Sequence, residues 1–268
     1  MSAKKSEDWV ETVILDDDFD NEGDQQAEEL VLTNPKPKRK RTIPQPLKHS
    51  FDENISIVEF GIDEAGRGPL FGRVYAGLAV LPKDTSFDHG LMKDSKKFHS
   101  KKKIQEVALY IQQHAIAWAV EYEDEETIDE INILQATQSA MHKCIKNVLK
   151  QLPNLSVEEM LLLVDGNYFK PYSVLNKAKT KMEHIRYQMI EGGDNKYTSI
   201  AAASILAKVE RDKYIDELCL ENPELVERYG IDTNKGYGSK KHLEGIKQFG
   251  ITKWHRKTFG ICKEFIHL

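Results

Sequence analysis

Regular patterning of apolar and polar positions begins only near Ser56. "SIVEFGID" and "GRVYAGLAVL" are β-rich runs separated by a turn of glycines and proline, which predicts two neighbouring strands. "KKKIQEVALYIQQ" places its apolar residues at helical spacing, and "AIAWAVEYE" reads as a third strand. A second helix is predicted through "INILQATQSAMHKCIKNVLKQL", stopped by Pro153. The following run, "EMLLLVDG", is nearly all apolar, as in a strand covered on both faces. "EHIRYQMIEGG" predicts a fifth strand and "YTSIAAASILAKVERDKYIDELC" a long helix. Three early strands close in sequence, then helix-linked strands, predict an α/β fold: a mixed five-stranded sheet flanked by helices. A C-terminal helical extension should follow from about residue 220, and no internal repeat is visible.

The 268 residues, 40% apolar, suffice for one substantial core. The net charge of -5 hides an asymmetry. Residues 1–34 carry eleven acids against Lys4 and Lys5, a balance of -9, and residues 35–50 carry six cations and no acid. Such blocks bury too little apolar surface to offset ordering entropy, so residues 1–48 are expected to form a mobile extension, acidic then basic, ahead of a catalytic domain over 49–268. The basic run Lys36 to Arg41 could touch phosphates; a solvated tail is the plainer account. No window approaches the ~18 apolar residues of a membrane span, and the first residues are too acidic for a signal peptide, so a cytoplasmic protein is expected. Cys144, Cys219 and Cys262 lie far apart without a CxxC pair and read as reduced, partly buried thiols.

Candidate chemistry sits at strand ends. Asp63 and Glu64 close the first strand, and neighbouring strand residues point to opposite faces, so both serve one site only if the chain bends at or just after them. Gly66 and Gly68 permit that bend. Adjacent acids repel unless a proton or cation intervenes, and a hard divalent ion is the natural partner; an exposed acidic turn is the alternative. Asp165 ends the most apolar strand, where α/β proteins place ligands. Asp194 precedes the long helix and could equally be an N-cap. Asp212 lies four residues after Lys208, where an ion pair explains it. "AGRGPLFG" has neither Rossmann nor P-loop spacing and leads into a strand, which argues against a dinucleotide cofactor; its glycines offer bare backbone and Arg67 a guanidinium for phosphate. "LMKDSKKFHSKKK" holds six lysines, and "TNKGYGSKKHLEG" sets three around Tyr237, each cluster either a solvated helix start or a phosphate contact with a stacking ring.

These residues resemble ribonuclease HII, the type 2 ribonuclease H family. "GIDEAGRGPLFG" is similar to its signature turn, and "DSKK", "INILQAT", "VDGN", "SIAAASILAKVERD", "NKGYGSKKHLEGI" and "HRKTF" follow in the family's order, from about Ile57 to Phe259. The resemblance implies an RNase H-like fold and an endonuclease that hydrolyses the RNA strand of RNA/DNA hybrids. It also implies cleavage 5' of single ribonucleotides embedded in duplex DNA, leaving 3'-hydroxyl and 5'-phosphate ends. The implied metal-binding and catalytic carboxylates are Asp63, Glu64, Asp165 and Asp194, holding two magnesium or manganese ions. Gly66, Arg67 and Gly68 would contact the 2'-hydroxyl and adjacent phosphate, Lys96 and Lys97 the backbone phosphates, and Tyr237 the junction. The implied partners are hybrid and ribonucleotide-containing duplexes, engaged by a monomer, with an unknown partner for the tail. A ribonuclease HIII-like nuclease weak on single ribonucleotides, or a non-catalytic hybrid-binding module, are the alternatives. Departures from the family pattern are Arg73 after "LFG", "HRKTF" for "HRRSF", and a long segment from Tyr168 to Glu191.

Overall fold

The computed structural model describes residues 46–175 and 180–266, so the extension expected over 1–48 lies outside the described residues up to position 45. The chain is already engaged at Lys48, whose amide and carbonyl bond to Lys196 and Thr198. Strand β1 (Val58–Ala65) and strand β2 (Val74–Val80) pair antiparallel, with Phe60 opposite Val80 and Asp63 opposite Gly77. After helix α1 (Lys101–His114), strand β3 (Ala117–Glu123) pairs antiparallel with β2. Helix α2 (Glu125–Gln151) then crosses the sheet to strand β4 (Met160–Asp165), which lies parallel to β1.

A small antiparallel pair, β5 (Ser173–Leu175) and β6 (Met182–His184), occupies the long segment noted in the sequence. Strand β7 (Arg186–Ile190) follows and completes the main sheet, in the order β3-β2-β1-β4-β7. This is the predicted mixed five-stranded sheet. The hairpin was not anticipated, because strands of three residues carry too little periodicity to be read. Among the described residues no helix is long and apolar enough to cross a membrane.

Alternation along the strands divides the core between two layers. Phe60, Ile62, Leu162 and Val164 face α2, where Met141, Cys144, Ile145 and Val148 cover them. The opposite face is covered by helix α3 (Thr198–Glu221), whose start is packed with small residues. A β-carbon on Gly61 would stand 2.2 Å from the Ser199 carbonyl carbon, and one on Gly77 2.2 Å from the Ala203 oxygen. The sheet glycines and the "AAAS" run therefore let α3 rest backbone to backbone on β1 and β2. In α2 the expected start near Ile131 corresponds to a second segment: Asn132 breaks the helix at φ +66°, and its side chain accepts from the Gln135 amide as a fresh cap.

The end of α3 enters a helical cluster with α4 (Pro223–Tyr229), α5 (Ile231–Asn234) and α6 (Lys240–Phe249). Phe71, from the turn between β1 and β2, is fully buried there among Ile215, Leu225, Tyr229 and Ile246. The glycine turn is thus tied to the C-terminal helices as well as to the sheet.

Candidate active site

β1 and β4 run parallel and side by side, so the acids at their ends emerge at the same edge of the sheet. The bend comes just after Asp63 and Glu64, at Gly66, whose φ of +90° favours glycine. A β-carbon there would also stand 2.2 Å from Arg211 Nε. Asp63, Glu64, Asp165 and Asp194 all line one cavity of about 660 Å³. Gly66, Arg67, Gly68, Lys96 and Tyr237 line it as well. Lys97 does not; its ammonium contacts the side-chain oxygen of Asn195, which does.

Asp63 is buried on the α3 side of the sheet, and its Oδ1 accepts from the Glu64 amide at 2.7 Å. Burial, then the charges of Glu64 and Asp165, push its carboxyl well above the ordinary carboxylate range, against the smaller lowering influence of the Ser204 hydroxyl and the Glu64 amide. Glu64 is also raised by burial, partly offset by Arg67, whose guanidinium donates to it at 3.2 Å. Asp165 accepts the Gly193 amide at 2.6 Å, which draws the turn before α3 against β4. Asp194 is raised by burial and by the nearby Asp94 and Asp165, while Asn195 donates to it at 3.0 Å. Among the described residues no three acidic, histidine or cysteine side chains converge on a single point.

The donor chemistry nonetheless fits a hard cation. All four groups offer oxygen, and the burial and mutual repulsion that hold Asp63 toward its protonated form are what a divalent ion would offset. The partners that now occupy Glu64 and Asp194 are single hydrogen bonds, one of them to the half-exposed Arg67.

Several lining residues were not singled out from the sequence. Asp94 begins the lysine-rich turn and caps it by accepting from the Lys96 amide, and Asn195 bonds both Asp94 and Asp194. Ser95 and Ser204 face each other at 3.0 Å. Asp212 pairs with Lys208 at 2.9 Å as expected, and that pair also borders the cavity. Tyr237 is half exposed, and its carbonyl meets the His242 ring at 2.9 Å; His242 in turn meets the buried His255 at 3.1 Å. Because His255 Nδ1 accepts from the Thr252 amide, its Nε2 carries the proton and donates to His242, whose Nδ1–H donates to Tyr237. "SKKH" and "HRKTF" mark these rings, but nothing local in either signals that they meet.

An acid-lined cavity at the end of parallel strands, edged with cations and an exposed ring, is the arrangement of a nuclease. The ribonuclease HII family matches residues 60–262. A ribonuclease HII of Parabacteroides distasonis is 44% identical over 211 residues, covering 79% of this chain and 94% of that one. The ribonuclease H2 structure of Pyrococcus horikoshii OT3 superposes with a TM-score of 0.55 at 25% identity, over 78% of this chain and 97% of that one. Bst-RNase HIII, solved in complex with Mn2+, shares the fold at a TM-score of 0.58 and 17% identity, over 80% and 71% of the two chains. The chain belongs to the ribonuclease HII family, and is an endoribonuclease of RNA/DNA hybrids with an RNase H-like fold.

Proposed function

We propose that the chain cuts hybrid RNA and also incises on the 5' side of single ribonucleotides in duplex DNA, leaving 3'-hydroxyl and 5'-phosphate ends. The observation that carries this reading is the sharing of one cavity by the four carboxylates and the Gly66-Arg67-Gly68 turn. Asp63, Glu64, Asp165 and Asp194 would hold magnesium or manganese ions. When bound, such ions supply Lewis acidity at the scissile phosphate and lower the pKa of water.

The remaining roles belong to side chains and backbone. Gly66 and Gly68 remove side chains where a ribose must approach, and the 2'-hydroxyl is the group that separates RNA from DNA at one position. Arg67, half exposed, can exchange Glu64 for a phosphate, and exposed Lys96 and Lys97 add cations along the same strand path. Tyr237, half exposed at the rim, offers a face for a sugar or base at the junction. The catalytic domain begins near residue 49, the charged extension precedes it, and the enzyme acts as a cytoplasmic monomer.

Asp63→Asn tests the carboxylate assignment. It should abolish metal-dependent cleavage of a labelled hybrid while hybrid affinity, measured by anisotropy, changes by less than about threefold. Cleavage at the normal rate would refute the role given to Asp63.

A further inference from the structure

The turn that carries Gly66 to Gly72 has no regular secondary structure of its own, yet its backbone is held at nearly every carbonyl by one residue. Arg256 is fully buried. Its Nε donates to the Gly72 carbonyl at 2.8 Å, and its two terminal nitrogens donate to Gly66 at 2.6 Å, Arg67 at 3.0 Å and Pro69 at 2.9 Å. Its own amide donates to Leu70 at 2.8 Å. Five carbonyls of a seven-residue turn therefore point at one side chain and its backbone.

A buried guanidinium is costly unless its donors are used, and here turn carbonyls, rather than an acid, accept the four side-chain bonds. The consequence lies on the other side of each peptide. In a trans peptide the C=O and N–H point in opposite directions, so aiming the Gly66 and Arg67 carbonyls at Arg256 aims the Arg67 and Gly68 amides away from it. Both residues line the cavity, and neither amide has a partner among the described residues. The segment bearing Arg256 is itself anchored: Asp129 of α2 accepts the Lys257 amide at 2.8 Å, and the Thr258 amide at 2.9 Å with its hydroxyl at 2.6 Å.

We propose that Arg256 is the positioning residue of ribonucleotide recognition, presetting the Arg67 and Gly68 amides as paired donors to the sugar-phosphate of the substrate, with Asp129 holding Arg256 in place. The inference rests on the proposed function, since it assigns that turn to reading the ribonucleotide. Arg256 touches no substrate; it acts through five carbonyls. A lysine keeps the charge but has three donors radiating from one atom and cannot span four carbonyls in a plane.

The test measures affinity for a duplex with one ribonucleotide against the same duplex in all DNA, by anisotropy in chelator, alongside cleavage in manganese. Wild type should prefer the ribonucleotide duplex, and Arg256→Lys should lose about tenfold or more of that preference while its all-DNA affinity holds. Because partial unfolding lowers both affinities alike, the ratio separates positioning from stability. If Arg256→Lys does not fold, Asp129→Asn, which leaves the guanidinium intact, should lose about threefold of the preference. An unchanged ratio in whichever variant folds overturns the inference, as does a wild type that cuts but shows no preference. A wild type that neither cuts nor prefers the ribonucleotide overturns the functional reading itself.

Discussion

Replacing Gly77 with alanine isolates the contact that sets the helix against the sheet. The new β-carbon would lie 2.2 Å from the Ala203 oxygen and 3.2 Å from the Ala207 nitrogen, both backbone atoms that no rotamer change can move. Ordinary contact begins near 3.4 Å, so α3 must retreat from β2 by about 1 Å. Buried Ala203, Ile205 and Leu206 retreat with it, in a core already filled. Overpacking of this kind costs about 1–3 kcal/mol, and the upper half of that range applies because the obstruction is backbone on a central strand. Urea unfolding followed by circular dichroism should show a midpoint lowered by about 1 M, taking a slope near 2–3 kcal/mol/M for a domain of this size. Activity should fall beyond the loss of folded protein, since α3 also carries Ser204, which lines the same cavity as Asp63. A stability loss below about 0.5 kcal/mol would refute the claim that glycine is there for helix approach.

Burial and the neighbouring His242 pull His255 down from 6.5 to about 3, so its neutral form contributes stability that is complete above pH 6.5 and lost as pH falls toward 3. Wild type should therefore lose about 2 kcal/mol more than His255→Gln between pH 7.5 and pH 5 in urea titrations, and parallel pH curves would contradict the neutral pairing. Tyr237→Ala should reduce kcat/KM about tenfold on a duplex with one ribonucleotide and less on a continuous hybrid, and equal losses would contradict its junction role.

What could be read from the chain follows the range of the physics involved. The five strands were legible because each is a local β-rich or apolar run, and β4 showed itself as a strand by being apolar on both faces. Asp63, Glu64 and Asp165 stood out because acids at strand ends beside glycine break the local pattern. Arg256 was not legible in that sense: it lies 190 positions beyond Gly66, and only the fold brings its side chain to that carbonyl. The same holds for Ser95 against Ser204, 109 positions apart, and His242 and His255, though only 13 apart, share no periodicity that would show them meeting. The break at Asn132 was hidden for a different reason, since apolar spacing on one side of a kink resembles a helix start.

The most direct measurement is gel mapping of an end-labelled DNA duplex containing one ribonucleotide, incubated in magnesium, in manganese and with chelator. A single metal-dependent cut is expected on the 5' side of that ribonucleotide, with a 3'-hydroxyl on the upstream fragment, and no cut with chelator. Cleavage of a continuous hybrid with no cut at the single ribonucleotide would contradict the role given to the Gly66-Arg67-Gly68 turn, and cutting that persists in chelator would contradict the role given to the four carboxylates.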